Sequence, residues 1–156
     1  MSQDQKNCAQ PYRLHRSIGY QLSLTARLQE RRFEEALRPL GLTRITWCVL
    51  LAAGVEGHEQ PSEIAGFVGI DRTATSRALR QMEASGMICR SCGKGDRRTT
   101  RVRLTAKGWQ LLEQAAPLAR ANAARFTAKL TAQEVTDLHQ LLERLQAGED
   151  TALRHL

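Results

Sequence analysis

At 156 residues and 17.5 kDa, with 42% apolar and 25% charged residues and only four prolines, the chain has the length of one domain and excludes disordered, collagenous and low-complexity classes. Its longest apolar run, Trp47 to Ala53, is far short of the about 20 residues a membrane span needs. The segment Met1 to Asn7 lacks the basic start and apolar stretch of a secretory signal, so the expected location is cytoplasmic, with no membrane partner. A net charge of +7 and a pI near 9.8 point to a polyanionic partner.

In chain order, Leu14, Ile18 and Leu22 recur at four-residue spacing beside a second apolar row, Leu24 and Leu28, and predict a first helix covered on two sides and stopped by Pro39 and Gly41. Ile45, Val49, Leu50 and Ala53 predict a second helix over about Thr43 to Val55, closed by Gly57. A short third helix has Pro61 at its first position, with Ile64, Ala65 and Val68 as its core face, and ends at Gly69. Asp71 offers an N-cap to a fourth, whose Thr75, Ala78, Leu79 and Met82 at i, i+3, i+4, i+7 form one buried stripe before Gly86 ends it. From Met87 the period changes to two, predicting a β-hairpin with Gly93 and Gly95 in its turn. Thr105 restarts helix, continuing to about Leu130, with Pro117 marking a kink or a boundary. Thr131-Ala-Gln-Glu134 is a capping box ahead of an amphipathic last helix bearing Val135, Leu138, Leu141, Leu142 and Leu145. No repeat or linker tract interrupts this order. The fold class is mainly α with a small β-hairpin.

The positive charge is concentrated. Asp71 to Gly108 holds ten basic residues (Arg72, Arg77, Arg80, Arg90, Lys94, Arg97, Arg98, Arg101, Arg103, Lys107) against Asp71, Glu83 and Asp96, a net +7, while the flanking segments nearly balance. From Pro61 to Arg80, the third helix, the turn Val68-Gly69-Ile70 and the fourth helix read as a helix-turn-helix that leads into this segment. Opposite the buried stripe stand Thr73, Ser76, Arg77 and Arg80, also at i, i+3, i+4, i+7. All are hydrogen-bond donors with no carboxylate among them, chemistry suited to base edges in the major groove. Arg72 and Lys94 extend the DNA-binding set. The hairpin carries Lys94, Arg97 and Arg98 near its tip, and an arginine there can enter the narrow minor groove. Asp96 either orients Arg98 or simply forms the turn.

These residues resemble the MarR family of winged helix-turn-helix transcription regulators over about Leu14 to Leu145. The wing signature stands complete as Asp96, Arg98, Val102, Leu104, Thr105 and Gly108, supported by Pro39-Leu-Gly-Leu-Thr43 with Trp47 and by Gly69-Ile-Asp-Arg-Thr73. The resemblance implies an obligate homodimer. Its terminal helices, in 1–42 and 109–156, would form the dimerisation domain, and 43–108 would be a DNA-binding lobe reading half of a pseudo-palindromic operator. It further implies a repressor released by a small, often aromatic or anionic, effector between the dimer helices and the lobe, where His15, Arg16, Tyr20 and Trp47 are candidates. Two departures stand out: Thr75 at an inward position where the family usually has a branched aliphatic, and Cys89-Arg-Ser-Cys92 in place of charged residues and a proline.

Cys8, Cys48, Cys89 and Cys92 are too few and too irregular for a disulfide framework, and the single C-x-x-C lacks the second ligand pair of a zinc site. No metal or cofactor is expected. A thiol switch using Cys89, Cys92 or Cys8, beside Arg90 and Lys94, is one alternative mode of regulation. A nonspecific architectural DNA-binding protein is another. With no phosphate-binding glycine loop, paired metal-binding histidines or nucleophile elbow, an enzyme is not expected.

Overall fold

The computed structural model describes residues 11–93 and 96–149, with side chains for 11–91 and 100–149. A helical turn at Leu14–Arg16 leads into α1 (Ile18–Leu37), where the Ser17 hydroxyl accepts from the Tyr20 amide. A second turn, Arg38–Leu40, ends at Gly41, whose φ of 68° is the left-handed conformation glycine adopts without strain. Thr43 and Thr46 then close a reciprocal capping box over the start of α2 (Arg44–Gly54). Trp47, Val49, Leu50 and Ala52 make α2 the centre of the core, in contact with α1 and with the helix-turn-helix, the second hairpin strand and the helix that follows it.

The helix-turn-helix forms as its spacing predicts. In α3 (Pro61–Val68) proline sits where no amide partner is needed, and Ile64, Ala65 and Val68 are buried. Gly69 turns the chain, Asp71 Oδ1 accepts from the Ala74 amide at 2.7 Å, and α4 (Arg72–Ala84) buries Thr75, Ala78, Leu79 and Met82. Thr75 fits its inward position because its hydroxyl donates to the Asp71 carbonyl at 2.8 Å, so burial leaves no polar atom unsatisfied.

The hairpin pairs β1 (Ile88–Gly93) with β2 (Asp96–Leu104), antiparallel, in the register Ile88 with Leu104, Arg90 with Val102 and Cys92 with Thr100. Gly93, expected in the turn, is the last residue of β1. An irregularity between Cys92 and Gly93 shifts the register, so that Gly93 pairs with Asp96. At the hairpin's base the Thr105 hydroxyl donates to the carbonyls of Gly86 and Met87 and accepts from the Gly108 amide, capping α5 (Ala106–Thr127). Pro117 does not end this helix. Ala115 is fully buried and Leu118 and Ala119 pack on the core, so burial on either side holds helical geometry across the missing amide.

The Thr131–Glu134 capping box starts α6 (Ala132–Gln146) as expected. The apolar stripes of the terminal helices, however, lie open in the single chain. Ile18 is 67% exposed and Leu145 56%, Leu22, Leu24, Leu28, Leu138 and Leu141 are also exposed, and α6 buries no residue. Only Phe33 and Leu37 of α1 reach the core. Among the described residues no single helix is long and apolar enough to cross a membrane.

Candidate nucleic-acid interface

The buried stripe of α4 fixes which residues face outward. With Leu79 and Met82 at most 1% exposed, Arg72, Thr73, Ser76, Arg77 and Arg80 are all exposed, and the Arg80 Nε donates back to the Ser76 carbonyl at 3.2 Å, holding its stem along the helix. The predicted donor face is therefore one continuous surface, rigidly based. Beside it lies a cleft of about 450 Å³, lined by Pro61 and Ser62 of α3, Arg72 and Ser76 of α4, and Arg90 and Thr100 of the hairpin.

Two sets of ion pairs tie the hairpin to α4 and to the loop before α3. On its inner face, Arg90 Nε donates to Glu83 Oε2 of α4 at 2.8 Å, and this hydrogen bond holds the Glu83 carboxyl below the usual carboxylate range. At its edge, Glu59 receives Arg101 Nη1 on Oε2 and Arg103 Nε on Oε1, each at 2.9 Å, while its carbonyl accepts from the Val102 amide at 2.8 Å. Neither carboxylate was legible as a partner in the sequence, because Glu59 and Arg101 are 42 positions apart and nothing local links them.

Of the expected wing residues, Lys94 lies outside the described residues. Asp96, Arg97 and Arg98 are placed in β2 by their backbone alone. The expected effector residues divide. Trp47 is buried, its ring edge on Phe33 with centroids 5.9 Å apart, whereas His15 and Tyr20 pair edge-to-face at 4.5 Å at the start of α1 and Arg16 is exposed. Trp47 is thus a core residue here. Cys89 is exposed, its thiol donating to the Arg103 carbonyl at 3.6 Å. Cys48 is half-buried, and burial pushes its thiol pKa up. Cys8 and the Cys92 side chain lie outside the described residues. Among the described residues no group of three or more histidine, cysteine or carboxylate side chains could hold a metal ion.

The sequence model of the MarR family matches residues 42–100, from just after Gly41 into the middle of β2. The chain is 30% identical to the M. tuberculosis transcriptional regulator MosR, solved in complex with DNA, at a TM-score of 0.66, covering 86% of this chain and 99% of that one. A cysteine-to-serine mutant of MarR from E. coli, complexed with operator DNA, is 27% identical at a TM-score of 0.75, covering 81% and 91%. BpsR of Bordetella bronchiseptica shares the fold, at 22% identity and a TM-score of 0.80 over 89% and 99%. Fold, family match and identity agree: the chain belongs to the MarR family of winged-helix, DNA-binding transcription regulators, which are not enzymes.

Proposed function

We propose that the chain is a homodimeric repressor that reads a pseudo-palindromic operator and leaves it when a small ligand binds. The observation that carries this reading is the exposed, carboxylate-free donor face of α4, held by a fully buried stripe. In this reading Thr73, Ser76, Arg77 and Arg80 meet base edges in the major groove, Arg72 and Lys94 meet phosphate, and Arg97 and Arg98 enter the minor groove with Asp96 orienting the wing. The open leucine stripes of α1 and α6 support the dimer, since contiguous exposed apolar rows of this size mark an interface. They also support assigning 1–42 and 109–156 to dimerisation and 43–108 to DNA. A small effector in the cleft of about 450 Å³ beside Arg72 and Ser76 would compete with DNA for the same surface.

The test is fluorescence anisotropy of the full chain on a duplex of about 30 base pairs, about three helical turns, that it selects from a random library, against a shuffled duplex, at two salt concentrations. A preference that survives the higher salt supports sequence-specific regulation. Equal binding that vanishes with salt supports a nonspecific architectural protein instead. Exposed Cys89 favours a thiol-switched variant of the same reading. Loss of binding with hydrogen peroxide, prevented by Cys89→Ser, would establish it, and unchanged binding would dismiss it for this thiol.

A further inference from the structure

Arg101 and Arg103 belong to the most basic stretch of the chain, and by composition alone they would be counted among the groups that meet phosphate. Their geometry says otherwise. As i and i+2 neighbours of β2 they share the hairpin face that carries Ser91 and Cys89, opposite the buried Val102. Both guanidinium groups are committed to the two oxygens of one carboxylate, Glu59, whose own carbonyl takes the amide of the residue between them. A single residue thus grips three consecutive wing positions, by side chain, main chain and side chain. Glu59 also directly precedes Gln60, the N-cap of α3, so the grip joins the wing to the start of the helix-turn-helix.

We infer that Glu59, Arg101 and Arg103 form a clasp that sets the direction of the wing relative to α4, and that the two arginines position the wing instead of binding phosphate. The inference rests on the wing meeting DNA as proposed above. Arg101 and Arg103 are 53% and 63% exposed, and ion pairs so exposed contribute little to global stability. Three bonds converging on one residue nevertheless fix an orientation, because the strand can neither slide nor rotate without breaking at least one of them. Glu59 is accordingly a positioning residue that determines specificity.

The experiment compares wild type, E59Q, R101Q/R103Q and the triple variant on selected and shuffled duplexes across a salt series, with melting followed by circular dichroism to show that each variant folds. The clasp requires that E59Q and R101Q/R103Q each weaken the selected duplex about fivefold to tenfold, and that the triple variant be no worse than either. E59Q should not weaken the shuffled duplex. The salt slope of R101Q/R103Q should match wild type. A slope flattened by about 3.6, at about 0.9 for each of the four phosphates that the two protomers would no longer neutralise, would show that the arginines bind phosphate and overturn the inference. Wild-type binding by E59Q, or additive losses in the triple variant, would overturn it as well. If wild type selects no preferred duplex, the DNA-reading proposal fails first, and the clasp fails with it.

Discussion

Gly108 closes the signature that runs from the wing into α5, and its substitution by alanine tests whether that junction is as tight as the structure shows. A Cβ at this position would lie 2.1 Å from the Met87 carbonyl oxygen and 3.2 Å from Leu104 Cγ. The oxygen is main chain and cannot swing aside, so α5 and the end of β2 must separate from it by more than about 1 Å to reach an ordinary van der Waals separation. That carbonyl accepts from the Thr105 amide and the Thr105 hydroxyl, each at 3.1 Å. Losing both bonds costs about 1–3 kcal/mol, and the overpacking itself about 1–3 kcal/mol. The sum, about 2–6 kcal/mol, corresponds to a fall in Tm of about 4–24 °C for a chain of this length. Gly66→Ala is the internal control. Nothing lies within 4 Å of its Cβ and it sits inside α3, so alanine should raise Tm by about 2–4 °C. Differential scanning calorimetry at one fixed protein concentration reads both. Gly108→Ala melting with wild type would refute the close approach on which this reasoning depends.

Three further expectations follow from local chemistry. Asp71→Ala removes the acceptor at 2.7 Å from the Ala74 amide and should cost about 1 kcal/mol, with Asp71→Asn restoring most of it; equal urea midpoints for all three proteins would contradict the cap. Glu83 and Glu134 are both held below the ordinary value of 4.5, the first by its hydrogen bond from Arg90 and the second by those from Thr131. A depressed folded-state pKa gives stability that is complete above the unfolded value and lost as pH falls through the folded one. E83Q/E134Q should therefore lose less Tm than wild type below about pH 4.5, and identical acid slopes would count against both interactions. At pH 8, iodoacetamide should label exposed Cys89 well before Cys48, whose thiol burial keeps protonated; equal rates in the native protein by peptide mapping would contradict that burial.

Much of this was readable from residue order because the relevant physics is local. Asp71 ahead of Thr75, Ala78, Leu79 and Met82 specifies a capped helix with one buried face, and fixing that face also fixes Thr73, Ser76, Arg77 and Arg80 outside. Thr131 with Glu134 and Pro61 at its helix start are equally local signals. What escaped was long-range. Glu59's hold on Arg101 and Arg103 spans more than forty residues and depends on how the loop before α3 meets β2. The burial of Trp47 edge-to-face against Phe33, which lies on a different helix, is likewise set by packing that residue order does not display. The continuation of α5 past Pro117, by contrast, is expected from the sequence, and buried Ala115 and its neighbours hold the helix through it. The two-sided first helix was half legible: its apolar rows are present, and in the single chain they lie open.

The measurement closest to the central claim is the effect of Arg77→Ala on selected against shuffled duplex, set beside Lys94→Ala in the same anisotropy assay. If α4 reads bases, Arg77→Ala loses about 1–3 kcal/mol on the selected duplex and relaxes its base preference, with shuffled DNA little changed. Lys94→Ala removes one phosphate-binding group from each protomer of the proposed dimer, and should weaken both duplexes alike and reduce the salt slope by about 1.8. An Arg77→Ala protein that loses equally on both duplexes, indistinguishable from Lys94→Ala, would contradict the assignment of α4 as the reading element.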